Sequence, residues 1–555
     1  MAEIKYVTLD EIIADVKDKE SRMAEPQEVG ADIYATACEI VSIAESDSRV
    51  RILTDYDADG ICAGYITEKT MKAINPNLDI EVICNDRRGR YGVPKDIEAE
   101  DATRYIVLDM GSNELDYIHH VFGQDTIVID HHLIESDANR EAFNSSPYLL
   151  NPHSKNKDDS LNAQYCATGL AYRVFECAKG ECEKKGYVML SGEKLNNTLV
   201  AMASIGTVAD VVNLMDMNSR NREIVKKGME AINNADESNF DFVIGHVLAS
   251  CGVKENVLAK DLGFNVAPFF NSSSRMSTVM QENGAMRMYR AITASADNAD
   301  TFFELSELQK VHSERKGLVN ALQTEEYYET IKKERASDGN IFVYILPEDT
   351  PHTFAGLVAG RLSEATDKAV ICLSLNTETH MYSGSGRNAD GNSSLKGFLD
   401  DVVGGMDIAY GGHTDAVGVS AISEDKIADF VNAIHENRNA ITNDRELVIL
   451  AIDKADISSE ETLSKLEQLE PLGNGLSVPP AEIRGVETYA SSRIKSNEHW
   501  KNMQVSKCKL KVADWNYDAD NYPLNDKKEI SFLARLGICE YNGRFVSCDV
   551  QVSRL

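Results

Sequence analysis

The sequence predicts an α/β protein with a parallel-sheet domain, a smaller α/β domain and a C-terminal β-barrel. Short, continuously apolar runs rich in valine and isoleucine occur in two parts of the chain, and such runs are typical of strands covered on both faces. Near the C-terminus, a Pro/Gly-rich hinge, "EPLGNGLSVPP" (470–480), precedes strand-like runs such as "QVSKCKLKVADW". That pattern favours a small barrel at the end of the chain.

Length and composition limit the class of protein. The chain has 555 residues, too many for one core, and suggests about three or four domains. No apolar run approaches the ~18 residues of a membrane helix, and the charged N-terminal segment lacks a signal-peptide pattern. Eleven cysteines without a C-x-x-C pair argue against a zinc ribbon or a disulfide framework. We therefore expect a cytoplasmic protein with no membrane contact.

Five segments follow from the pattern along the chain. The stretch 304–336 has no proline and one glycine, which favours a long helix between two α/β parts. We expect an N-terminal helical extension (1–45), a parallel-sheet catalytic domain (46–283), a long connecting helix (284–337), a smaller α/β domain (338–444) and the barrel (445–555).

Three strand-like runs in the first α/β region are each followed at once by an aspartate. In a parallel sheet, the carboxyl ends of neighbouring strands meet at one crevice, where ligands bind. The aspartates are therefore expected to lie side by side. The runs are 50–54, 104–108 and 125–129, and the residues that follow them are Asp55, Asp109 and Asp130.

The same region contains further acidic and imidazole side chains. A lone aspartate after a strand is more often a helix cap, so the joint occurrence is what favours a metal site. Carboxylates with one or two imidazoles suit Mn²⁺ or Mg²⁺ better than zinc, and a cation turns crowded carboxylates into ligands. Two metals ~3.5–4 Å apart can activate water and stabilise a leaving oxygen in phosphoryl transfer. The candidates are Asp55, Asp57, Asp59, Asp109, Asp130, His131, His132 and Asp210.

These motifs resemble those of the DHH phosphoesterase superfamily. The matching segments are "DYDADG" (55–60), "VLDMGSNE" (107–114), "VIDHHL" (128–133) and "SIGTVADVV" (204–212), with "YSGSGRN" (382–388) and "YGGHTDAVGVS" (410–420) for the substrate-binding DHHA1 domain. Within the superfamily, "LGFNVAPFFNSSSRM" (262–276) and the C-terminal segments are similar to the RecJ-type single-strand exonucleases. The resemblance covers about residues 48–555 and implies an OB-fold for the barrel.

The resemblance also implies roles for individual residues. Asp109 corresponds to a bridging carboxylate, His132 to a histidine facing the substrate phosphate, and Asp55 to an additional acidic position. The implied metal ligands are Asp57, Asp59, Asp109, His131 and Asp210. The implied substrate contacts are Arg275, Ser385, Arg387 and His413, with Arg87 and Arg88 in an imperfectly matching loop.

Some positions depart from the family pattern. Leu53 stands where many relatives have histidine, so one metal would be held with a water or by Asp55. Phe269 follows Pro268 where RecJ proteins usually have arginine, and this puts one phosphate contact in doubt. In the hinge, Leu476 and Ser477 replace the usual Asn-Pro. The chain would thus be a divergent member.

The charge distribution bears on the substrate. A net charge of −32 argues against a general nucleic-acid coat protein. The segment 491–511, however, holds six basic residues and one acidic residue, and it includes Trp500 and Lys501. Basic residues interleaved with aromatics fit single-strand binding, whereas a solvated strand with core tryptophans is the alternative.

The resemblance implies an exonuclease that degrades single-stranded DNA in the 5′→3′ direction with two divalent cations, Mn²⁺ or Mg²⁺. It further implies a monomer, with a single-strand-binding protein or a helicase as candidate partners. One alternative is a phosphodiesterase for short oligonucleotides or cyclic dinucleotides, whose members typically lack the barrel. Another is an inactive replication scaffold, but such proteins have usually lost metal ligands.

Overall fold

A computed structural model describes most of the chain, and it divides into two compact units. The parallel-sheet unit comprises 17–315 and 470–477, and the second unit comprises 1–16, 316–469 and 478–555. The described residues are 4–23, 27–46, 48–89, 92–101, 103–156, 162–186, 189–253, 256–388, 393–412, 416–441, 447–453, 455–487, 494–496, 501–505, 510–514, 529–540 and 544–551. In this part of the chain, no helix has both the length and the apolar character that crossing a bilayer requires.

The chain begins with strand β1 (Ile4–Val7) and helix α1 (Leu9–Arg22). The elements up to residue 321 are α2 (Gln27–Ala44), β2 (Arg49–Thr54), α3 (Ala58–Ile74), β3 (Ile80–Cys84), β4 (Thr103–Leu108), α4 (Leu115–Phe122), β5 (Ile127–Ile129), α5 (Asp137–Ser145), β6 (Leu149–Leu150), α6 (Ala167–Lys184), α7 (Glu193–Ala209), α8 (Asn221–Asn233), α9 (Phe242–Ser250), α10 (Ala259–Asp261), α11 (Ala267–Arg275), α12 (Ser277–Met280), α13 (Gly284–Thr293) and α14 (Ala299–Ala321). A π-helical turn, Leu262–Val266, joins α10 to α11.

The sheet of the parallel-sheet unit has the strand order β3-β2-β4-β5-β6, and each neighbouring pair is parallel. In this register, Thr54 lies opposite Leu108, and Leu108 lies opposite Ile129. These three residues end their strands, so the aspartates that follow them lie at one edge of the sheet. The predicted parallel sheet is confirmed.

Both faces of this sheet are covered by apolar side chains. Ile52 and Ile106 belong to the main apolar core, which also contains side chains of α3, α6 and α7. Leu53 and Val107 point to the other face, into a smaller cluster with residues of α4. Each buried isoleucine or valine contributes about 1.5–3 kcal/mol relative to exposure. This double coverage explains why the strands have continuously apolar sequences.

The second unit contains a mixed sheet with the order β10-β11-β9-β8-β7, in which β7 and β8 are parallel and the other neighbours antiparallel. Its elements are α15 (Glu325–Ala336), β7 (Ile341–Ile345), α16 (Ala355–Thr366), β8 (Ala369–Asn376), β9 (Met381–Arg387), α17 (Leu395–Val403), β10 (Ala409–Gly412), β11 (Ala416–Ser423) and α18 (Ile427–Glu436).

The C-terminal strands form a larger mixed sheet with the order β1-β12-β13-β17-β18-β16-β15-β14. Its further elements are β12 (Leu447–Leu450), α19 (Glu460–Leu469), β13 (Ala481–Glu487), β14 (Ile494–Ser496), β15 (Lys501–Val505), β16 (Leu510–Asp514), β17 (Glu529–Glu540) and β18 (Arg544–Gln551). The β-rich character of this region agrees with the sequence, and its assignment as an OB-fold barrel stays a prediction.

Two sequence-based expectations about helices are wrong. Residues 4–7 form a strand that pairs in parallel with 447–450, because a distant partner in the chain completes the hydrogen bonds of this short apolar run. The expected single helix over 284–337 is divided into α13, α14 and α15. Thr324 caps α15 by accepting a hydrogen bond from the Tyr327 N–H, so the chain restarts a helix there.

Candidate metal centre

The first acidic motif occupies the turn between β2 and α3. Asp57 is the N-cap of α3, and its carboxylate accepts hydrogen bonds from the N–H groups of Asp59 (3.0 Å) and Gly60 (3.2 Å). The turn is tight, since a Cβ placed on Gly60 would lie 2.7 Å from the Asp55 carbonyl oxygen. Glycine at position 60 thus allows the three aspartates to follow the strand closely.

Asp59 is fixed by the N-terminus of α6. Its carboxylate accepts hydrogen bonds from the Ala167 and Thr168 N–H groups, both at 2.9 Å, and the Thr168 hydroxyl donates to the Asp59 carbonyl oxygen at 2.7 Å. Free N–H groups and the positive end of the helix dipole favour a carboxylate at this place. The backbone therefore holds Asp59 in a single orientation inside the protein.

Asp109 directly follows β4 and has a left-handed backbone conformation, with φ = 63°. Its N–H donates to the Ile129 carbonyl oxygen at 2.9 Å, which holds it beside β5. This conformation is sparsely populated by residues other than glycine, although aspartate and asparagine tolerate it better than the others. Strained residues cluster at functional sites, so the backbone itself marks Asp109 as a special position.

Asp130 positions the two histidines that follow it. Its carboxylate accepts hydrogen bonds from the N–H groups of Ser112 (2.9 Å) and His131 (2.7 Å), and it lies 2.7 Å from His132 Nδ1. Burial alone would raise the pKa of Asp130, but the histidines and hydrogen bonds lower it below its ordinary value. Burial would lower the pKa of His132, yet the Asp130 carboxylate raises it to about 9.

His131 links the acidic residues of three different segments. Its Nε2 atom lies 3.2 Å from Asp109 Oδ1 and 3.7 Å from Asp59 Oδ2. Its Nδ1 atom lies 3.8 Å from Asp210 Oδ2, and Asp210 is the C-cap residue of α7. The predicted acidic and imidazole residues therefore form one continuous cluster in the parallel-sheet unit.

Within this cluster, three groups of side chains bring their potential ligand atoms within 4.8 Å of one another. Asp109 belongs to two of these groups. The groups are Asp55–Asp57–Asp109, Asp109–His131–His132 and Asp59–Cys166–Asp210.

The electrostatics of the cluster fit a bound cation. Burial and the neighbouring Asp57 carboxylate raise the pKa of Asp55 to about 8 and that of Asp59 to about 6. Burial and nearby carboxylates hold the pKa values of Asp109 and Asp210 well above the ordinary range. Asp55 Oδ1 is buried without a hydrogen-bond partner among the described residues. A divalent cation would satisfy such an oxygen and favour the charged carboxylates.

Cys166 and Asn271 contribute to the site but were missed in the sequence. Cys166 is the N-cap of α6, is fully buried, and lies with Asp59 and Asp210. The Asn271 side-chain oxygen accepts a hydrogen bond from the Ala58 N–H at 2.9 Å, which ties α11 to the start of α3. Cys166 follows no strand and belongs to no acidic motif, so no local signal identifies it. Asn271 lies in the RecJ-like segment 262–276, where the resemblance assigns a role only to Arg275.

Two of the predicted substrate contacts lie near the first acidic motif. The Arg87 guanidinium lies 4.6 Å from the centre of the Tyr56 ring, and Tyr56 stands between Asp55 and Asp57 in sequence. Burial raises the pKa of Tyr56, and the charges of Arg87 and Arg275 act in the opposite direction. Arg88 instead pairs with Asp86 at 2.5 Å.

Two of the departures from the family pattern, Leu53 and Phe269, are buried apolar residues. Leu53 is fully buried in the cluster with Val107. Phe269 is also buried, and its ring contacts the His312 ring with centroids 5.7 Å apart. The first acidic side chain after Leu53 is Asp55, whose Oδ1 atom has no hydrogen-bond partner among the described residues.

The remaining predicted substrate contacts belong to the second unit. Ser385 and Arg387 lie on β9, where Ser385 pairs with Cys372 of β8 and Gly418 of β11. The Arg387 side chain packs closely on α16, since a Cβ built on Gly356 would lie 2.9 Å from its Nη2 atom. Lys501 begins β15. His413 and Trp500 lie outside the described residues.

Comparison with known proteins agrees with this architecture. Residues 49–207 match the DHH family, N-terminal domain, and residues 338–439 match the DHHA1 domain. The chain is 22% identical over 519 residues to the single-stranded-DNA-specific exonuclease RecJ of Bacillus subtilis (strain 168), which covers 89% of this chain. The chain spans 60% of the length of that relative.

Solved structures show the same fold. RecJ from Thermus thermophilus in complex with Mn²⁺ has a TM-score of 0.67 at 20% identity, covering 94% of this chain and 71% of that one. An exonuclease RecJ bound to manganese has a TM-score of 0.53 at 21% identity, covering 74% of this chain and 95% of that one. Residues 49–207 thus match a DHH domain and residues 338–439 a DHHA1 domain, and the fold of the chain is similar to that of RecJ.

Proposed function

We propose that this protein hydrolyses phosphodiester bonds in single-stranded DNA and releases mononucleotides from the 5′ end. The observation that carries this proposal is the buried cluster of aspartates and histidines, in which Asp109 belongs to two ligand groups. The RecJ likeness, which extends over nearly the whole chain, supports the choice of substrate. We keep a cytoplasmic monomer as part of the proposal, with a single-strand-binding protein or a helicase as candidate partners.

Two divalent cations, Mn²⁺ or Mg²⁺, are the proposed cofactors. The proposed ligands are Asp57, Asp59, Asp109, His131 and Asp210, with Asp55 as a further acidic ligand where Leu53 replaces histidine. When bound, the cations would supply the positive charge that activates a water and stabilises a phosphate under attack. Aspartate oxygens and imidazole nitrogens are the donor set that these cations accept.

Asp130 and His132, the remaining members of the cluster, are proposed to provide a positioned and protonated group that contacts the phosphate. Asp130 keeps His132 protonated near neutral pH, because it raises the pKa of that imidazole to about 9. A protonated His132 can donate a hydrogen bond to a phosphate oxygen and stabilise charge that develops there. Asp130 is therefore a positioning residue, and His132 is the group that touches the substrate.

Arginine, serine and histidine side chains are proposed to hold the strand. Arg87 and Arg275 lie near Tyr56 in the parallel-sheet unit and would bind phosphates of the strand, because guanidinium groups form paired hydrogen bonds with phosphate. In the DHHA1 domain, Ser385, Arg387 and His413 are the proposed pocket for the terminal phosphate. Trp500 and Lys501 are proposed contacts of the C-terminal region, with Arg88 as a further candidate.

The test is a substrate comparison with Mn²⁺ or Mg²⁺. End-labelled single-stranded DNA, duplex DNA, RNA and a cyclic dinucleotide are incubated with the protein, and the products are resolved by size. We expect release of mononucleotides from the 5′ end of single-stranded DNA. Preference for the cyclic dinucleotide would contradict the proposal, and inactivity on every substrate would favour the scaffold alternative.

A further inference from the structure

An exposed phenylalanine lies on the helical segment 262–275, which contacts both α7 and the start of α3. The side chain of Phe264 is 76% exposed. It lies in the π-helical turn Leu262–Val266, which precedes α11. An aromatic ring in water forgoes the favourable free energy of burial, and π-helical turns frequently occur at functional sites. The exposure of the ring and the π-helical backbone together indicate that Phe264 has a functional role.

The π-helical turn is anchored at both ends to elements that supply the acidic cluster. Gly263 packs on α7, because a Cβ built there would lie 3.2 Å from Val208 Cγ1, two residues before Asp210. At the other end, Asn271 of α11 accepts the hydrogen bond from the Ala58 N–H, between Asp57 and Asp59. Phe264 therefore follows a residue that packs on the last turn of α7, the helix whose C-cap is Asp210.

The ring is held on a rigid backbone. Leu262 and Val266, on either side of it, are both fully buried, and the Ala267 N–H donates to the Leu262 carbonyl oxygen to close the π-helical turn. Val211, directly after Asp210, is also apolar and 63% exposed, with φ = 56°. A ring fixed in this way loses little conformational freedom when a ligand binds to it.

We propose that Phe264 is a stacking platform for a nucleobase of the strand whose phosphate lies at the metal centre. This inference rests on the proposed function, because it assigns the contact for a base next to the reacting phosphate. Every nucleobase has a π face, so stacking on Phe264 supports degradation of a strand without regard to sequence. The acidic residues of the cluster cannot provide this contact.

The test combines substitutions of Phe264 with strands that lack one base. Initial rates in Mn²⁺ give kcat/KM for an oligothymidine and for the same strand with an abasic residue at successive positions from the 5′ end. Loss of one stacked base reduces binding by about tenfold, so we expect Phe264→Ala and Phe264→Leu to lower kcat/KM on the intact strand by about that factor. When the abasic residue occupies the position whose base would stack on Phe264, wild-type protein and the Phe264 variants should have similar kcat/KM values. Phe264→Trp should retain activity, and a strand should quench its added tryptophan fluorescence.

Phe303→Ala is the matched control, because Phe303 is 66% exposed and its neighbour Phe302 packs on Phe242 of α9, a helix that supplies no residue of the acidic cluster. This control should keep the wild-type rate. The stacking role would be overturned if Phe264→Ala lowered kcat/KM by the same factor on the intact strand and on every abasic strand. It would also be overturned if the substitution lowered kcat/KM on none of them. If the wild-type protein neither binds nor cuts the single strand, the proposed function fails as well. A wild-type protein that cuts the strand while Phe264→Ala is unaffected refutes the stacking role alone.

Discussion

Asp109 combines a strained backbone with a buried carboxylate, so it lowers the stability of the metal-free protein. Its φ of 63° suits asparagine as well as aspartate, and its pKa is raised well above the ordinary range by burial and nearby carboxylates. We expect Asp109→Asn to raise the metal-free unfolding free energy by about 1 kcal/mol or more, because asparagine is neutral without the cost of protonating a buried carboxylate. The same change should lower hydrolysis at least about a hundredfold, since it removes a shared ligand.

Thermal unfolding and initial rates of this variant check both expectations. Asp109→Ala is the comparison, because alanine removes the charge but is not suited to the left-handed conformation. Asp109→Ala should be inactive, and it should not show the gain in stability that is expected of Asp109→Asn. Full activity of either variant would contradict the assignment of Asp109 as a ligand.

The raised pKa values in the cluster predict how stability changes with pH. Asp55, at about 8, and Asp59, at about 6, keep protons when folded that they lose at about pH 4 when unfolded. His132 is raised to about 9, so its contribution is also lost as pH rises above about 6.5. All three effects have one sign, and the metal-free protein should become less stable from pH 5 to pH 9.

Calorimetric unfolding at several pH values, with and without Mn²⁺, measures this dependence. Metal ligands must be deprotonated to bind, so Mn²⁺ affinity should rise over the same pH interval. Asp55→Asn should flatten the metal-free profile between pH 6 and pH 8. A profile that is equally steep in that variant would show that the titrating group lies elsewhere.

The position of Cys166 beside Asp59 and Asp210 leads us to expect that its thiol binds softer cations but not Mg²⁺ or Mn²⁺. Burial and the nearby Asp59 carboxylate raise the pKa of the Cys166 thiol, so it should stay protonated beside Mg²⁺ or Mn²⁺. Co²⁺ accepts thiolate ligands more readily. We expect Co²⁺ to produce a thiolate-to-cobalt absorption band in the near ultraviolet that Cys166→Ser lacks. Cys177→Ser, on the same helix, should keep the band, and its persistence in Cys166→Ser would exclude the thiol as a ligand.

At the residue scale, the sequence identifies the site residues that directly follow strands. It does not identify those that reach the metal centre from helices elsewhere in the chain. Asp55 and Asp109 could be placed together because parallel strands end at one edge. Cys166 and Asn271 reach the same place from α6 and α11, and the packing of those helices is a tertiary property. The left-handed conformation of Asp109 is likewise determined by its pairing with β5 rather than by its neighbours in sequence.

At the element scale, the turn from β2 to α3 depends on a glycine that carries no chemistry. A Cβ on Gly60 would approach the Asp55 carbonyl oxygen to 2.7 Å. We expect Gly60→Ala to destabilise the fold by about 1–3 kcal/mol and to lower Mn²⁺ affinity, because Asp55 and Asp57 must shift. Thermal unfolding and metal titration measure the two effects.

Gly180 of α6 provides the matched control for this prediction. Nothing lies within 4 Å of a Cβ built on Gly180. Gly180→Ala should therefore stabilise the protein by about 0.5–1 kcal/mol through helix propensity alone. If both substitutions had the same small effect, the close approach at Gly60 would not control the site.

The elements that the sequence predicts correctly are those with strong local patterns. The apolar runs of β2 and β4 identify buried strands. The expectation fails for β1, because Ile4–Val7 becomes a strand only by pairing with 447–450. It fails again over 284–337, which contains no proline, because the residues 294–298 between α13 and α14 and the cap at Thr324 interrupt the helix.

At the scale of the whole molecule, a late segment of the chain completes the parallel-sheet unit. Arg222 is 2% exposed, and its guanidinium donates to the carbonyl oxygens of Pro471 (2.7 Å) and Glu470 (3.2 Å) and pairs with Glu20. We expect Arg222→Lys to destabilise the protein by about 3 kcal/mol, because a lysine cannot make this set of hydrogen bonds in a buried place.

Chemical denaturation measures this loss. The control is Lys227→Met, which breaks only an exposed pair with Glu223 and should change stability by less than about 0.5 kcal/mol. Equal effects of the two substitutions would show that the 470–477 segment contributes little to the unit. The sequence could not predict this contact, since about 250 residues separate its partners and loop closure leaves no local pattern.

The same segment has a consequence for the order in which the protein is made. The Asn474 side-chain amide donates to the Val211 carbonyl oxygen at 2.8 Å, and the Asn474 main-chain carbonyl oxygen accepts from the Leu214 N–H at 2.9 Å. Domains generally fold as they leave the ribosome, so the strand ends with Asp55 and Asp109 form early. The turn after Asp210 acquires its bracing hydrogen bonds only when residue 474 has been translated. We therefore expect a nascent chain to lack a finished metal centre until most of its length has been synthesised.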